Sequence, residues 1–265
     1  MSMVRFTKIA APGSPPTGQA RLFYSIANAK LEAVDENGNV AKLAGFLTLD
    51  YRLIRVVTFT AAQSPYTPTT DTRALLVECI GAGGGGGGAA GTSSQSSAGG
   101  GGGGGSYAQR WITSVAANYT VTIGSGGTGG TGAGAAGAGG DTSFGTSCIG
   151  KGASAGGAAT TPGTGLAKSA GGAGGIAGTG DVTTVGSAGG DAICTSGTQA
   201  RGGNGAAGPW AGTSQDMNLI AAGTTAGVAG ATPGAGGSGA VNCGTQSAVN
   251  GGAGANGLCR VWEFA

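Results

Sequence analysis

The glycines of this chain are crowded into one part of it. Of 63 in 265 residues, only Gly13, Gly18, Gly38 and Gly45 fall in residues 1–57, and residues 58–80 and 258–265 hold none. Between Gly81 and Gly257 about one residue in three is glycine. Glycine has no side chain to bury and loses more backbone entropy on ordering than any other residue. With aromatic residues at 5% and charged ones at 9%, an ordinary side-chain core cannot run through such a stretch. Either the region is a linker, or its main-chain N–H and C=O groups find partners outside helices and sheets.

The pattern of the glycines argues against a linker. Tracts such as 81–91, 99–105, 124–140, 150–157, 171–180, 186–190, 202–208, 223–239 and 251–257 alternate with segments expected to be loops: 92–98, 158–170, 181–185, 191–201 and 209–222. Those segments carry Trp, Met, Leu and Ile, and the region is poor in the Glu, Lys and Pro that keep chains solvated. Collagen is excluded by the absence of a strict Gly-X-Y period, and only Pro162, Pro209 and Pro233 lie between Gly81 and Gly257. Packed polyglycine II helices fit. That backbone has three residues per turn and no internal hydrogen bonds, and tracts of these lengths would reach roughly 20–50 Å. Without Cβ atoms, neighbouring tracts can bond backbone to backbone.

Apolar strands bracket the glycine region. Val56–Thr60, Ala74–Ile80, Arg110–Val115, Tyr119–Ile123 and Leu258–Phe264 are rich in β-branched and aromatic residues, with a turn expected at Ser64–Pro68. Strands at both ends of the region are expected to pair and clamp it. Upstream, Arg21–Tyr24, Lys30–Val34 and Val40–Leu43 read as short strands, with a hairpin turn at Asp35–Asn39 around Asn37-Gly38. This unit is too small to bury its own core and needs partner chains. The fold class expected is mainly β and irregular. A small N-terminal attachment or oligomerisation unit (1–45) leads through a connecting strand (46–57) to a β-clamped glycine-rich domain of packed polyglycine II helices with protruding loops (58–265).

Composition removes several functions. The net charge of +2 has no basic stripe, so no nucleic-acid partner is expected. No stretch of about 18 apolar residues suggests membrane insertion, and Met1–Pro16 contains no signal-type apolar run. There is no histidine, and Cys79, Cys148, Cys194, Cys243 and Cys259 show no C-x-x-C spacing; no metal site or cofactor is expected. Cys79 and Cys259, within strand patterns, read as small core residues. A Cys194–Cys243 disulfide stays open.

Motifs that resemble catalytic ones are produced by composition. Gly81–Gly86 after a strand satisfies G-x-G-x-x-G, but no helix-forming sequence or acidic residue about 20 positions on follows it. Gly152-Ala153-Ser154-Ala155-Gly156 matches G-x-S-x-G, yet without histidine no Ser-His-acid triad is possible. The acids after residue 57 (Asp71, Glu78, Asp141, Asp181, Asp191, Asp216, Glu263) are scattered, and Asp141, Asp181 and Asp191 each follow a glycine, as turn residues do. No catalytic residue is assigned and no enzyme is expected.

The run from Phe59 through Tyr66-Thr67-Pro68 to Ala74–Ala82 and the glycines after it resembles the opening of the glycine-rich domain at the C-terminus of many bacteriophage tail fibres. The likeness continues through Tyr107–Trp111, Tyr119–Gly124, Gly140–Gly145, Pro233–Gly237 and the closing Gly251–Phe264. Cys79 and Cys259 depart from the aliphatic residues expected there. Lys30–Val40 is similar to short repeats that begin phage structural proteins, and the chain more distantly resembles the polyglycine-sandwich adhesins of T-even phage fibre tips.

The resemblance implies a virion tail protein, made in the host cytoplasm, trimeric through its stalk and attached to other tail or baseplate proteins. It implies that loops on the glycine scaffold contact a host surface receptor, whether outer-membrane protein, pilus or lipopolysaccharide. The contact residues expected are Leu166, Lys168, Gln199, Arg201, Trp210, Gln215, Asp216, Met217, Asn218 and Leu219. Trp210, Leu219 and Ile220 read equally as caps on the ends of the glycine scaffold. A purely structural fibre or collar component, without receptor contact, is the alternative.

Overall fold

In a computed structural model, the chain divides into two units, Met1–Arg52 and Leu53–Ala265. The structure describes residues 21–25, 30–34, 37, 40–42, 52–159, 166–210 and 223–265. The first unit contains an antiparallel meander of β1 (Arg21–Ser25), β2 (Lys30–Val34) and β3 (Val40–Lys42). Val34 pairs with Val40 across the expected hairpin. Of the expected connecting strand, residues 46–51 lie outside the described residues, while Leu53 onward belongs to the second unit.

The second unit begins with β4 (Leu53–Phe59), β5 (Gln63–Tyr66) and β6 (Ala74–Ile80) and ends with β18 (Leu258–Phe264). Between them come β7 (Thr92–Ala98), β8 (Tyr107–Ile112), β9 (Tyr119–Thr122), β10 (Thr142–Phe144), β11 (Cys148–Gly150), β12 (Ala167–Ser169), β13 (Val182–Thr184), β14 (Ala192–Ser196), β15 (Gln199–Arg201), β16 (Gly223–Thr225) and β17 (Val241–Gln246). The described residues contain strands and irregular chain but no helix, and the sheets are small, antiparallel and unclosed.

The last strand lies between the first ones, as the flanking apolar runs predicted. One sheet has the order β13-β8-β6-β18-β4 and a second β11-β10-β9-β5. Alternation along β6 turns Leu75, Val77 and Cys79 to one face. Opposite strands supply Val261, Cys259, Phe59 and Ala108, and the second sheet closes over them with Tyr66, Val121, Phe144 and Cys148. Tyr66 packs edge-on to Phe59 and Phe144, with centroids 5.3 and 5.7 Å away. This is the main side-chain core. Cys79 and Cys259 sit opposite one another in it, with Sγ atoms 3.8 Å apart.

Beyond this core the interior is main chain. Gly81, Gly84 and Gly87 donate to Ser106, Gly103 and Gly100; Ala82 and Gly85 to Gly140 and Gly137; Gly83 and Gly86 to Ala255 and Gly252. The same neighbour recurs at every third residue. Carbonyls of the tract repeat the pattern, accepting from Ala153 and Gly156, from Gly127 and Gly130, and from Gly237 and Ala240. Tract 99–106 is likewise surrounded: it donates to tracts 234–240, 151–157 and 187–190 and accepts from 81–87, 172–175 and 203–206. Each tract thus replaces a β-ladder's two neighbours with several, because no Cβ stands between the backbones. A Cβ on Gly84 would overlap the carbonyl of Ser154.

The tract registers define two ends. Residues 81, 106 and 257, which adjoin β6, β8 and β18, lie together at the clamped end. Residues 87, 99, 157, 190, 203 and 240 lie at the other. There, β7 and β14 to β17, with β12, form two facing three-stranded sheets, β12-β14-β15 and β16-β17-β7. Their shared core is small: Ala98, Ala192, Cys194, Ala200, Val241 and Cys243. Segments 92–98, 167–169, 182–184 and 192–201, expected as loops, are therefore largely strands. Pairing to neighbours, such as Ala98 to Val241 and Cys194 to Ala200, decides this where the residues' own β-propensity is weak. Likewise Gln63–Tyr66, which overlaps the turn expected at Ser64–Pro68, is strand β5, held by β9. All five cysteines are buried thiols, so Cys194 and Cys243 pack without a disulfide.

Candidate functional site

On the sheet β12-β14-β15, alternation separates two faces. Ala167, Cys194 and Ala200 stand opposite one another and form part of the small core. One residue along, Lys168, Ile193 and Arg201 form a row across all three strands on the other face. Lys168 and Arg201 are exposed, and Ile193 retains 38% of its surface. Leu166, Thr195 and Gln199 flank this row and are exposed, Leu166 at 80%. The structure thus brings four expected contact residues, Leu166, Lys168, Gln199 and Arg201, onto one face of the distal end.

Local chemistry fixes this face. Lys168 Nζ lies 2.6 Å from Asp191 Oδ2, while Asp191 Oδ1 accepts the Gly171 N–H at 2.8 Å. The Lys168 ammonium, with the Gly171 amide second, holds the Asp191 carboxyl below its usual range. Asp191 therefore ties β12 to the start of β14. The other glycine-following acids act in the same way rather than as turn residues alone. Asp141 bonds Lys151 and the Gly152 N–H, and Asp181 bonds Arg110 and the Trp111 N–H. For Asp141, burial pushes the carboxyl up, but the bonds from Lys151 and Gly152 outweigh it and leave it lowered.

Trp210 lies elsewhere. Its ring stacks on the Arg260 guanidinium, 4.5 Å from centroid to Cζ, at the clamped end. Gln215, Asp216, Met217, Asn218 and Leu219, with Ile220, lie outside the described residues. Ile193 and Thr195 are members of the distal face that sequence reasoning missed. The alternation in Ala192-Ile193-Cys194-Thr195 was the available signal, hidden inside a segment assigned to loop. The G-x-G-x-x-G run is interior: Gly81–Gly88 are buried, and the amides of residues 81–87 bond other tracts. They face no cleft in which a dinucleotide could lie.

This arrangement of clamped strands, glycine tracts and a distal sheet pair is that of a glycine-rich scaffold displaying side chains at its end. The chain belongs to the glycine-rich domain family, whose model matches residues 60–262. A comparison with curated proteins finds no match.

Proposed function

We propose that this protein is a bacteriophage tail-fibre receptor-binding protein whose distal face contacts the host surface. Its glycine tracts are read as polyglycine II helices, in keeping with a hydrogen-bond partner that recurs every third residue. The observation carrying the reading is the row Lys168–Ile193–Arg201, flanked by Leu166, Thr195 and Gln199, on the end remote from β4 and β18. Arginine is among the side chains enriched where protein surfaces associate, and Ile193 sets a partly exposed apolar group beside Arg201. Attachment in this scheme is non-catalytic, the N-terminal unit joins the protein to the tail, and the protein acts in the virion.

The test replaces Lys168, Ile193 and Arg201 together with alanine in a phage carrying the chain and measures adsorption to its host. A loss of at least about tenfold, with normal particle assembly, supports the reading; about 1.4 kcal/mol corresponds to that factor. Unchanged adsorption favours the purely structural fibre or collar component.

A further inference from the structure

Two of the buried thiols face one another across neighbouring strands. Cys79 of β6 and Cys259 of β18 are partners in the antiparallel register, between the pairs Ile80–Leu258 and Glu78–Arg260. Both are fully buried in the main core, with Sγ atoms 3.8 Å apart. The hydrogen-bond phase of β6 decides what kind of pair this is. The Gly81 N–H donates to the Ser106 carbonyl at 2.9 Å, and these two residues continue the β6–β8 register beyond Ile80 and Tyr107. Main-chain groups alternate in direction along a strand. Cys79, two residues back, therefore also bonds toward β8, while Ile80 and Glu78 bond toward β18.

Cys79 and Cys259 thus form a non-hydrogen-bonded pair, in which facing Cα atoms lie about 4.5 Å apart and the side chains are close. A disulfide needs Cα atoms about 4.4–6.8 Å apart and sulfurs about 2.05 Å apart. The strand pairing already supplies the first, and only the sulfurs have to close. The pair also brackets the glycine region. Cys79 stands two residues before Gly81 and Cys259 two after Gly257, so a link between them encloses every tract in one loop. Glycine has the most backbone freedom to regain on unfolding, and a cross-link restricts the unfolded chain more as its loop lengthens. Cys148, the third thiol of this core, lies on β11 of the second sheet, where its Sγ meets the carbonyls of Ala108 and Val77.

We infer that Cys79 and Cys259 are a site of oxidative modification, at which a small-molecule disulfide converts the two thiols into a cross-strand disulfide stapling β18 to β6. One cysteine thiolate attacks a sulfur of the small disulfide, forming a mixed disulfide and releasing one thiolate. The other cysteine thiolate attacks the protein sulfur of that mixed disulfide, forming the Sγ–Sγ bond and releasing the second. The two protons lost by the cysteines go to the released thiolates, and two electrons pass to the small disulfide. Because both thiols are buried, exchange takes place before the core closes or when β18 parts from β6. The native register then holds the product. The thiol form belongs to a reducing cytoplasm and the stapled form to an oxidising environment. The site is independent of what the distal face binds.

Refolding the full chain from urea in a buffer of oxidised and reduced glutathione tests the site. Remaining thiols are alkylated and a tryptic digest is read by tandem mass spectrometry. Three of the five thiols should remain, and the linked peptides should join residues 74–110 to 202–260 through Cys79 and Cys259. The oxidised chain should unfold at a higher urea midpoint than the same chain after dithiothreitol. Cys148→Ala should keep the link and Cys259→Ala should lose it. Five free thiols in the refolded chain, or a link from Cys79 to Cys148 or from Cys194 to Cys243 in its place, overturns the inference. The unaltered chain decides the matter if an alanine variant does not fold. If the chain does not refold, glutathione exchange on the folded protein at the foot of its urea transition gives the same readout.

Discussion

Glu263, in the last strand of the chain, accepts two hydrogen bonds from Arg55, in the first strand of the glycine-rich unit, at 2.9 and 2.7 Å. The carboxylate has no exposed surface. It also accepts from the Tyr66 hydroxyl, and Oε2 from the Thr69 N–H and Thr72 hydroxyl, each at 3.2 Å. One buried acid therefore ties together β4, β5, the turn at 67–72 and β18, so the two ends of the unit are joined by charge as well as by register. A buried ion pair earns its place only when such additional bonds satisfy it, and here they do.

The first prediction concerns acid. Burial alone would raise the Glu263 carboxyl, but bonds from Arg55, Thr69 and Tyr66 bring it from 4.5 down to about 2. A depressed acid stabilises the fold fully above its unfolded value and loses that contribution as pH falls through the folded one. Unfolding free energy should therefore be level above about pH 5 and fall by roughly 3 kcal/mol between pH 4.5 and 2 from this group. Glu263→Gln should flatten that segment while lowering stability at pH 7. Urea titrations at several pH values check both, and an equal acid slope in the variant would remove Glu263 as its source.

A second prediction separates glycine needed for packing from glycine that is merely present. A Cβ on Gly84 overlaps the Ser154 carbonyl, whereas one on Gly91 meets nothing closer than 3.4 Å. Gly84→Ala should cost about 1–3 kcal/mol or more, as overpacking does. Gly91→Ala should be neutral or stabilise by about 0.4–1 kcal/mol through the unfolded chain. Denaturation midpoints of the pair decide it. Equal effects would mean the tract does not pack as described.

The clamping strands were legible because Ala74–Ile80 and Leu258–Phe264 carry apolar side chains that report burial directly. The tracts were legible as a class but not in their neighbours. Gly81, Gly84 and Gly87 share one partner tract, yet a residue without a side chain records nothing about what lies beside it. Strand β7, Thr92-Ser93-Ser94-Gln95-Ser96-Ser97-Ala98, was illegible for a related reason. Its residues have little strand preference, and pairing with β17 imposes the conformation. The distal face was found in part: Lys168 and Arg201 stood out as charges, while Ile193 was seen only once β14 placed it between them.

Thiol chemistry gives a third prediction. All five cysteines are buried, and for three of them the surroundings oppose ionisation. Burial pushes up Cys243, and the Cys79 and Cys148 thiols lie well above their ordinary value within the shared core, which the Cys259 thiol joins beside Cys79. Only the thiolate reacts. A thiol reagent at neutral pH should therefore label almost none in the native protein and all five after unfolding in guanidinium. Rapid native labelling would place some of them at the surface.

Hydrogen exchange separates an ordered glycine core from a linker most directly. A flexible tract would exchange at the rate of unfolded chain, since water is then the partner of every amide. In the structure every amide from Gly81 to Gly87 donates to another tract, at 2.8–3.0 Å, and those residues are buried. To release one, several neighbouring tracts must separate at once, because each is bonded to others in turn. Exchange of these amides should thus require the same global opening as β6 and β18, which flank the region. Amide exchange followed by NMR should show residues 81–87 and 99–106 among the slowest in the chain, alongside Val77 and Val261. Protection confined to the apolar strands would mean that the tracts open independently, and a core of main-chain hydrogen bonds would then be untenable.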